Sequence, residues 1–208
     1  MKVKDLKTGN EYVLSQRDED YIRSQFIETG ELSSRLAVEK EQLLREISEG
    51  RFPKPTYSTD EGDFFPPYYV NVMKAASRNV QDLREYFLVN ARKLLRVEMK
   101  NRANTVTDQE LEDEVEQMWF DFLSGEYGAC LIKPEPASII KKDHLLHEID
   151  EMLAHPRETD MEWRNKLCTM VSELDRIEAA FAEYDRIRFN SPTSRDMHID
   201  SLREKYCG

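Results

Sequence analysis

Apolar residues recur along most of this chain at intervals of three and four, the spacing of helices that bury one face. Tyr69, Val72, Met73, Ala76, Val80, Leu83, Phe87, Leu94 and Val97 keep that spacing to about residue 102, which predicts two helices or one broken helix. Thr107 followed three residues later by Glu110 is a capping-box signature. Leu111, Val115, Met118, Trp119 and Phe122 then carry a stripe to Gly125, predicting a helix over 108–124. Ile139, Ile140, Leu145, Leu146, Ile149, Met152 and Leu153 predict another that stops before Pro156. Trp163, Leu167, Met170, Val171, Leu174, Ile177 and Phe181 predict a longer one over 161–184, packed antiparallel to it. Asn190-Ser191-Pro192-Thr193 reads as a turn, after which Ser194 is placed to cap a last short helix holding Met197, Ile199 and Leu202.

The first third of the chain has a different texture. Val3–Leu6 and Glu11–Leu14 flank Lys7-Thr8-Gly9-Asn10, which suggests two short strands around a turn. A helix is expected from Ser15 or Asp18, with Tyr21, Ile22, Phe26 and Ile27 on its inner face and Gly30 past its end. In ELSSRLAVEKEQLLREISEG, residues 31–50, the apolar positions mark two short helices with a tight turn at Ala37-Val38 and a stop at Gly50. Pro53 and Pro55 force extended chain, and Thr56-Tyr57-Ser58 with Phe64-Phe65 around Asp60-Glu61-Gly62 suggests a hairpin or wing. Pro66-Pro67 then divides the chain into a helix-turn-helix-like module over 1–66 and a helical bundle over 67–208. The expected fold is mainly α, with a small β hairpin in the first part.

Composition narrows what such a fold does. No run of 18 apolar residues occurs and the first residues lack the apolar stretch of a signal peptide, so no membrane span is expected and the cytoplasm is the expected location. Cys130, Cys168 and Cys207 are odd in number and far apart, which indicates neither a disulfide framework nor a zinc knuckle and fits a reducing compartment. A net charge of -11 repels phosphate backbones. Glu31, Leu32, Leu36, Val38, Leu43 and Ile47, with the Gly50 to Pro53 exit, resemble the winged helix-turn-helix of MerR-like regulators. Yet over 31–57 five cations are balanced by five carboxylates, so nucleic acid is not an expected partner. His144, His147, Glu148 and Glu151 share a helical face, but nothing supplies a second helix of ligands, and no metal is expected. No glycine-rich phosphate cradle is present and no cofactor is expected. Cys130 reads as a small core filler before it reads as a nucleophile.

The chemistry worth testing sits in two loops. Asp121, Glu126, Tyr127 and Lys133 lie in or beside the GEYGACL segment, and Arg186, Arg188 and Arg195 lie in or beside YDRIRFNSPTSRD. If the loops converge on a cavity, Asp121 or Glu126 is the expected general base, with Tyr127, Lys133, Arg186, Arg188 and Arg195 binding an anionic substrate. The alternative is that these groups cap helices and tie one loop to the other. Taken as a set, ELSSRLAVEKEQLLREISEGRFPKPTY, GEYGACL, the WRNKL helix and the YDRIRF…SRD tail resemble a largely uncharacterised bacterial family, best represented in actinobacteria and associated with natural-product biosynthesis. The resemblance implies a helical fold and small-molecule chemistry such as cofactor-free ring closure of amino-acid-derived heterocycles. Two other roles remain: a ligand-sensing transcriptional regulator, or an adaptor or homodimer docking a partner protein through apolar residues around Phe52, Tyr57, Phe64 and Phe65.

Overall fold

The computed structural model describes residues 1–76, 80–101, 107–190 and 192–207; the expected positions Val80, Arg102 and Ser191 fall outside the side chains described. The chain opens with β1 (Lys2–Lys4) and β2 (Glu11–Val13), paired antiparallel with Val3 opposite Tyr12. Ser15 then caps α1 (Gln16–Gln25) in a reciprocal capping box with Asp18. The helix ends at Gln25, earlier than expected, because Ile27-Glu28 leaves it as β3 (Ile27–Glu28) to pair with a later strand. Gly30 therefore lies inside α2 (Thr29–Leu36) and not beyond α1. Ala37 adopts left-handed backbone at φ 58°, making the tight turn into α3 (Lys40–Ser48), and Gly50 at φ 67° closes that helix.

β4 (Tyr57–Thr59) and β5 (Asp63–Phe65) form the second hairpin, and the five strands join in one antiparallel sheet of order β2-β1-β4-β5-β3. What the sequence divided into two hairpins is thus a single sheet, since β1 pairs with β4 across more than 50 residues. The aromatic residues expected to face a partner are core: Phe52, Tyr57, Phe64 and Phe65 are each 2% exposed or less. Their Pro-rich, aperiodic surroundings hid the burial that sheet closure imposes.

The helical part follows as α4 (Tyr69–Ala75), α5 (Val80–Asn101), α6 (Asp108–Ser124), α7 (Tyr127–Cys130), α8 (Pro136–Ala154), α9 (Met161–Ile177), α10 (Glu183–Arg188) and α11 (Ser201–Tyr206), the last entered through a π-helical turn at Asp196–Asp200. The Thr107–Glu110 capping box forms as expected. The helix expected over 161–184 stops at Ile177, where Glu178 instead pairs with Leu131 in an antiparallel bridge. Ser194 does not cap the last helical stretch. Thr193 does, exchanging hydrogen bonds with Asp196.

Among the described residues three apolar clusters fill the interior. The largest joins Leu32, Leu43 and Phe52 to Phe87, Trp119 and Phe122, and so runs across Pro66-Pro67. A second lies among α8, α9 and α11 around Ile149, Leu167 and Ile199. The third lies under the sheet and takes Ala182 and Tyr184 from the far end of the chain. Contrary to the expectation of unpaired cysteines, Cys168 and Cys207 are disulfide-bonded, with Cα atoms 5.6 Å apart. Their 39-residue separation left no sequence signature, and the bond removes the cysteine argument for a reducing compartment. No helix among the described residues is long and apolar enough to cross a membrane.

Two glycines hold the parts together. Gly125 takes φ 82° at the end of α6, and a Cβ at Gly128 would stand 2.0 Å from the Thr56 hydroxyl and 2.6 Å from Pro66 Cγ. Gly128→Ala should therefore cost about 1–3 kcal/mol by overpacking. Gly30→Ala, in open space on α2, should be neutral or gain up to about 1 kcal/mol of helix propensity. Urea unfolding of both variants checks the contrast.

Candidate functional site

The site is organised by α10, a short helix whose polar groups are drawn inward. Asp18 on α1 accepts hydrogen bonds from the backbone N–H of Glu183 (2.6 Å) and Tyr184 (3.3 Å), so a side chain from one end of the chain caps a helix near the other. Asp185, fully buried, accepts from the Tyr57 hydroxyl and the Ala182 N–H at 2.8 Å each. Arg188 lies at ion-pair distance from it, 2.8 Å, and donates to the Thr56 carbonyl at 2.8 Å. The guanidinium stacks near the rings of Tyr57, Tyr184 and Phe189. Burial pushes the Asp185 carboxyl up, while Arg188 and the Tyr57 hydroxyl pull against it; the Tyr57 phenol is pushed well up by the same burial.

With α10 fixed in this way, a cleft of about 780 Å³ lies between the N-terminal elements and the C-terminal helices. Tyr21, Gln25, Phe26 and Arg35 line one side, Pro66, Pro67, Tyr68 and Asn71 another, Gly128 and Leu131–Lys133 a third, and Asp175, Glu178–Ala180 and Arg195 the last. The last two walls are joined by main-chain bonds: Ile132 N–H to the Ile177 carbonyl (3.0 Å) and Ala179 N–H to the Cys130 carbonyl (3.1 Å). Behind them Glu178, 1% exposed, accepts from Lys142 (2.8 Å) and Ser194 (2.5 Å) through Oε1, and Lys142 also donates to Ser194 at 2.9 Å. Phe181, next to this wall, holds left-handed backbone at φ 60°, an unfavourable state for a bulky residue.

The residues singled out in the sequence distribute over several places. Lys133 and Arg195 line the cleft. Glu126 and Arg188 do meet, with Ser124 and Gly125, around a second void of only about 80 Å³ that also takes Lys4, Asp5, Lys7 and Lys54. The two loops thus converge, but the cavity at their junction is the size of a few waters. Glu126 is tied to Lys7 at 2.5 Å. Asp121 accepts from Gln117 on its own helix at 2.9 Å and lines neither void. Tyr127 packs against the largest core cluster, and burial pushes its phenol far up. Arg186 is paired with Asp196 and lines neither void. Arg195 donates to the Ala179 carbonyl (3.0 Å) and Asp175 (2.6 Å), closing the end of α9. For Arg186, Arg188 and Arg195 the geometry is therefore that of the capping and loop-tying alternative.

Sequence reasoning missed Asp18, Lys142 and Glu178. No spacing relates Lys142 to Glu178, and Glu178 sits in a run of good helix formers, so only the fold brings them together. Among the described residues no group of three or more side chains is arranged to hold a metal, and His144 Nδ1 instead lies 2.7 Å from Glu98. Burial pushes the Cys130 thiol up, away from the reactive thiolate, although Lys142 draws it the other way.

The chain belongs to a family of unknown function (DUF6058), which matches residues 82–207. No curated protein and no solved structure matches the chain. The match begins inside α5 and takes in α10 with Asp185 and Arg188, but not the sheet into which they are inserted.

Removing the Asp185 charge leaves Arg188 buried without its counter-ion, so Asp185→Asn should cost about 3 kcal/mol or more. Glu126→Gln breaks only a partly exposed pair and should stay within about 0.5 kcal/mol of wild type; urea denaturation measures both. In acid, Asp175 and Asp196 are two of the carboxylates in the C-terminal part that arginines hold below their usual values. Burial alone would raise Asp175, but Arg203 and Arg195 hold it below its usual value; Asp196 is likewise held down, against burial, by Arg186 and Thr193. Because their folded values lie below the unfolded value of about 4, their stabilisation is complete above it and disappears as pH falls through the folded values. Melting curves from pH 6 to 2.5 should show that decline, flattened in Asp196→Asn.

Proposed function

We propose that this protein binds a small organic molecule in the cleft between its N-terminal sheet-and-helix part and its C-terminal helices. The observation that carries the reading is the cleft itself. Its volume of about 780 Å³ falls within the roughly 300–1,000 Å³ of ligand pockets. Its walls mix aromatic and aliphatic surface from Phe26, Tyr68, Leu131 and Ile132 with a few polar groups. Ile132 is half exposed there, an apolar side chain without a full complement of neighbours. The strained backbone of Phe181 beside the cleft fits a wall held in shape for a ligand.

A metabolite of the natural-product type is the finer version of this reading. Ring closure would call for a base facing the cleft, a part that Asp121 and Glu126 are poorly placed to take. Tyr21 lines the cleft, but burial pushes its phenol up to about 12, which suits a hydrogen-bond donor and not a base at neutral pH. Ligand binding is accordingly the better supported activity. A DNA-reading role finds no comparable support: the outer surface of α3 gathers Glu39, Glu41, Glu46 and Glu49 against Arg45 and Arg51, and Arg51 is already bound to Glu46 and Glu49.

The test uses the uncharged fluorescent probe N-phenyl-1-naphthylamine. Wild-type protein should enhance its emission saturably, and Ala180→Trp, which places an indole in the cleft from an exposed position, should weaken binding about tenfold or more with an unchanged melting temperature. Equal binding by Ala180→Trp and wild type would remove the cleft as the site.

A further inference from the structure

The charges lining the cleft are nearly all committed to partners within the protein. Arg35 is paired with Glu31, four residues away on α2, at 2.5 Å. Asp175 is held by Arg195 at 2.6 Å and Arg203 at 2.7 Å. Arg195 is spent on Asp175 and on the Ala179 carbonyl. Glu178 is neutralised by Lys142 at 2.8 Å. Lys133 alone among these charged groups has no carboxylate within ion-pair distance among the described residues. Glu135, two residues away, accepts from the Tyr68 hydroxyl at 2.8 Å through Oε2 and makes no ion pair with Lys133. The Lys133 ammonium is left over the Tyr68 ring, 5.9 Å from its centroid.

From this pairing pattern we infer that the ligand of the cleft is a monoanionic amphiphile, its acidic head group bound by Lys133 and its apolar or aromatic body lying along Tyr68, Ile132 and Phe26. The inference rests on the cleft being the binding site and adds the chemical class of what it takes. An ammonium on a flexible stem serves any compact monoanion, so a carboxylate, a sulfonate or a phosphate diester would satisfy it alike. Lys133 is solvent-exposed, so its contact with the head group is screened by salt, and the apolar surface of Ile132 and Tyr68 beside it holds the body of the ligand. A dianion would find no second free cation in the cleft. A cationic ligand would meet Lys133, while the carboxylates that line the cleft, Asp175 and Glu178, are already ion-paired within the protein. In a chain of net charge -11, an uncommitted cation in the cleft, beside exposed apolar surface, is a local reversal of sign with a chemical consequence.

The experiment compares N-phenyl-1-naphthylamine with 8-anilinonaphthalene-1-sulfonate, which share their ring system and differ by one sulfonate. Wild type should bind the sulfonate more tightly at low salt, with the advantage shrinking as ionic strength rises. Lys133→Gln should weaken sulfonate binding about tenfold, the loss of one charge-assisted contact, and leave the uncharged probe within about twofold. Lys133→Arg should restore most of the sulfonate affinity. If Lys133→Gln leaves the sulfonate unaffected, or weakens both probes equally, the anion assignment is wrong. Should that happen while Ala180→Trp still excludes the uncharged probe, the cleft stands as the site and only the ligand class is lost. If Ala180→Trp spares both probes, the cleft reading fails and the assignment fails with it.

Discussion

The placement of α10 under the N-terminal sheet is the constraint on which the rest of the architecture depends. Moving a carboxylate and a guanidinium out of water carries a desolvation cost that their mutual attraction only partly offsets, so such a pair persists where other bonds complete it. Here they do. Asp185 gains the Tyr57 hydroxyl and the Ala182 N–H, Arg188 gains the Thr56 carbonyl and three ring faces, and Asp18 supplies the helix cap. Every one of these partners except Ala182 and the rings of Tyr184 and Phe189 lies in the first 57 residues. The buried charge pair therefore fastens the two ends of the chain together, and apolar packing of Tyr184 against Tyr12 and Tyr57 reinforces the joint.

That joint determines where a cleft can exist. Tyr21, Phe26 and Arg35 belong to the N-terminal part and Asp175 to Ala180 to the end of α9, so their separation is set by how α10 and its preceding loop are held. The segment after α6 completes the enclosure. Gly125 and Gly128 let it approach Lys54, Pro55, Thr56 and Pro66 more closely than any side chain would permit, and the Leu131–Glu178 bridge then turns Ile132 and Lys133 toward the opening. A break in a helix, two glycines and a buried ion pair act together to produce one concave surface.

Much of this was legible in the sequence and some of it could not be. The periodic stripes gave α5, α6, α8 and most of α9 because burying one helical face leaves a three-to-four spacing. Thr107 with Glu110, and Ala37 with Gly50, marked termini because local backbone demands act within a few residues. The end of α9 was missed for the opposite reason: Glu178-Ala179-Ala180 favours helix locally, and the bridge to Leu131 that overrides it is a tertiary contact. The Cys168–Cys207 bond and the Lys142–Glu178–Ser194 cluster belong to the same class of non-local pairing. Ser194 shows how small the margin is, since Thr193, one residue earlier, takes the cap and frees the Ser194 hydroxyl for Glu178.

The distribution of the candidate residues follows from a competition between folding and recognition. An arginine near a helix end has carbonyls and carboxylates within reach, and its planar fork satisfies several at once; Arg186, Arg188 and Arg195 are consumed in this way. A lysine reaches fewer partners in fixed geometry and stays free unless a carboxylate is placed for it. Glu135, two residues from Lys133, accepts from the Tyr68 hydroxyl and makes no ion pair with that lysine, which leaves the ammonium over the Tyr68 ring. A charge that holds water and no carboxylate at the edge of an apolar cleft can exchange that water for a ligand without breaking a bond of the fold, and this, more than the number of polar groups in the loops, separates a surface available for recognition from one already spent on stability.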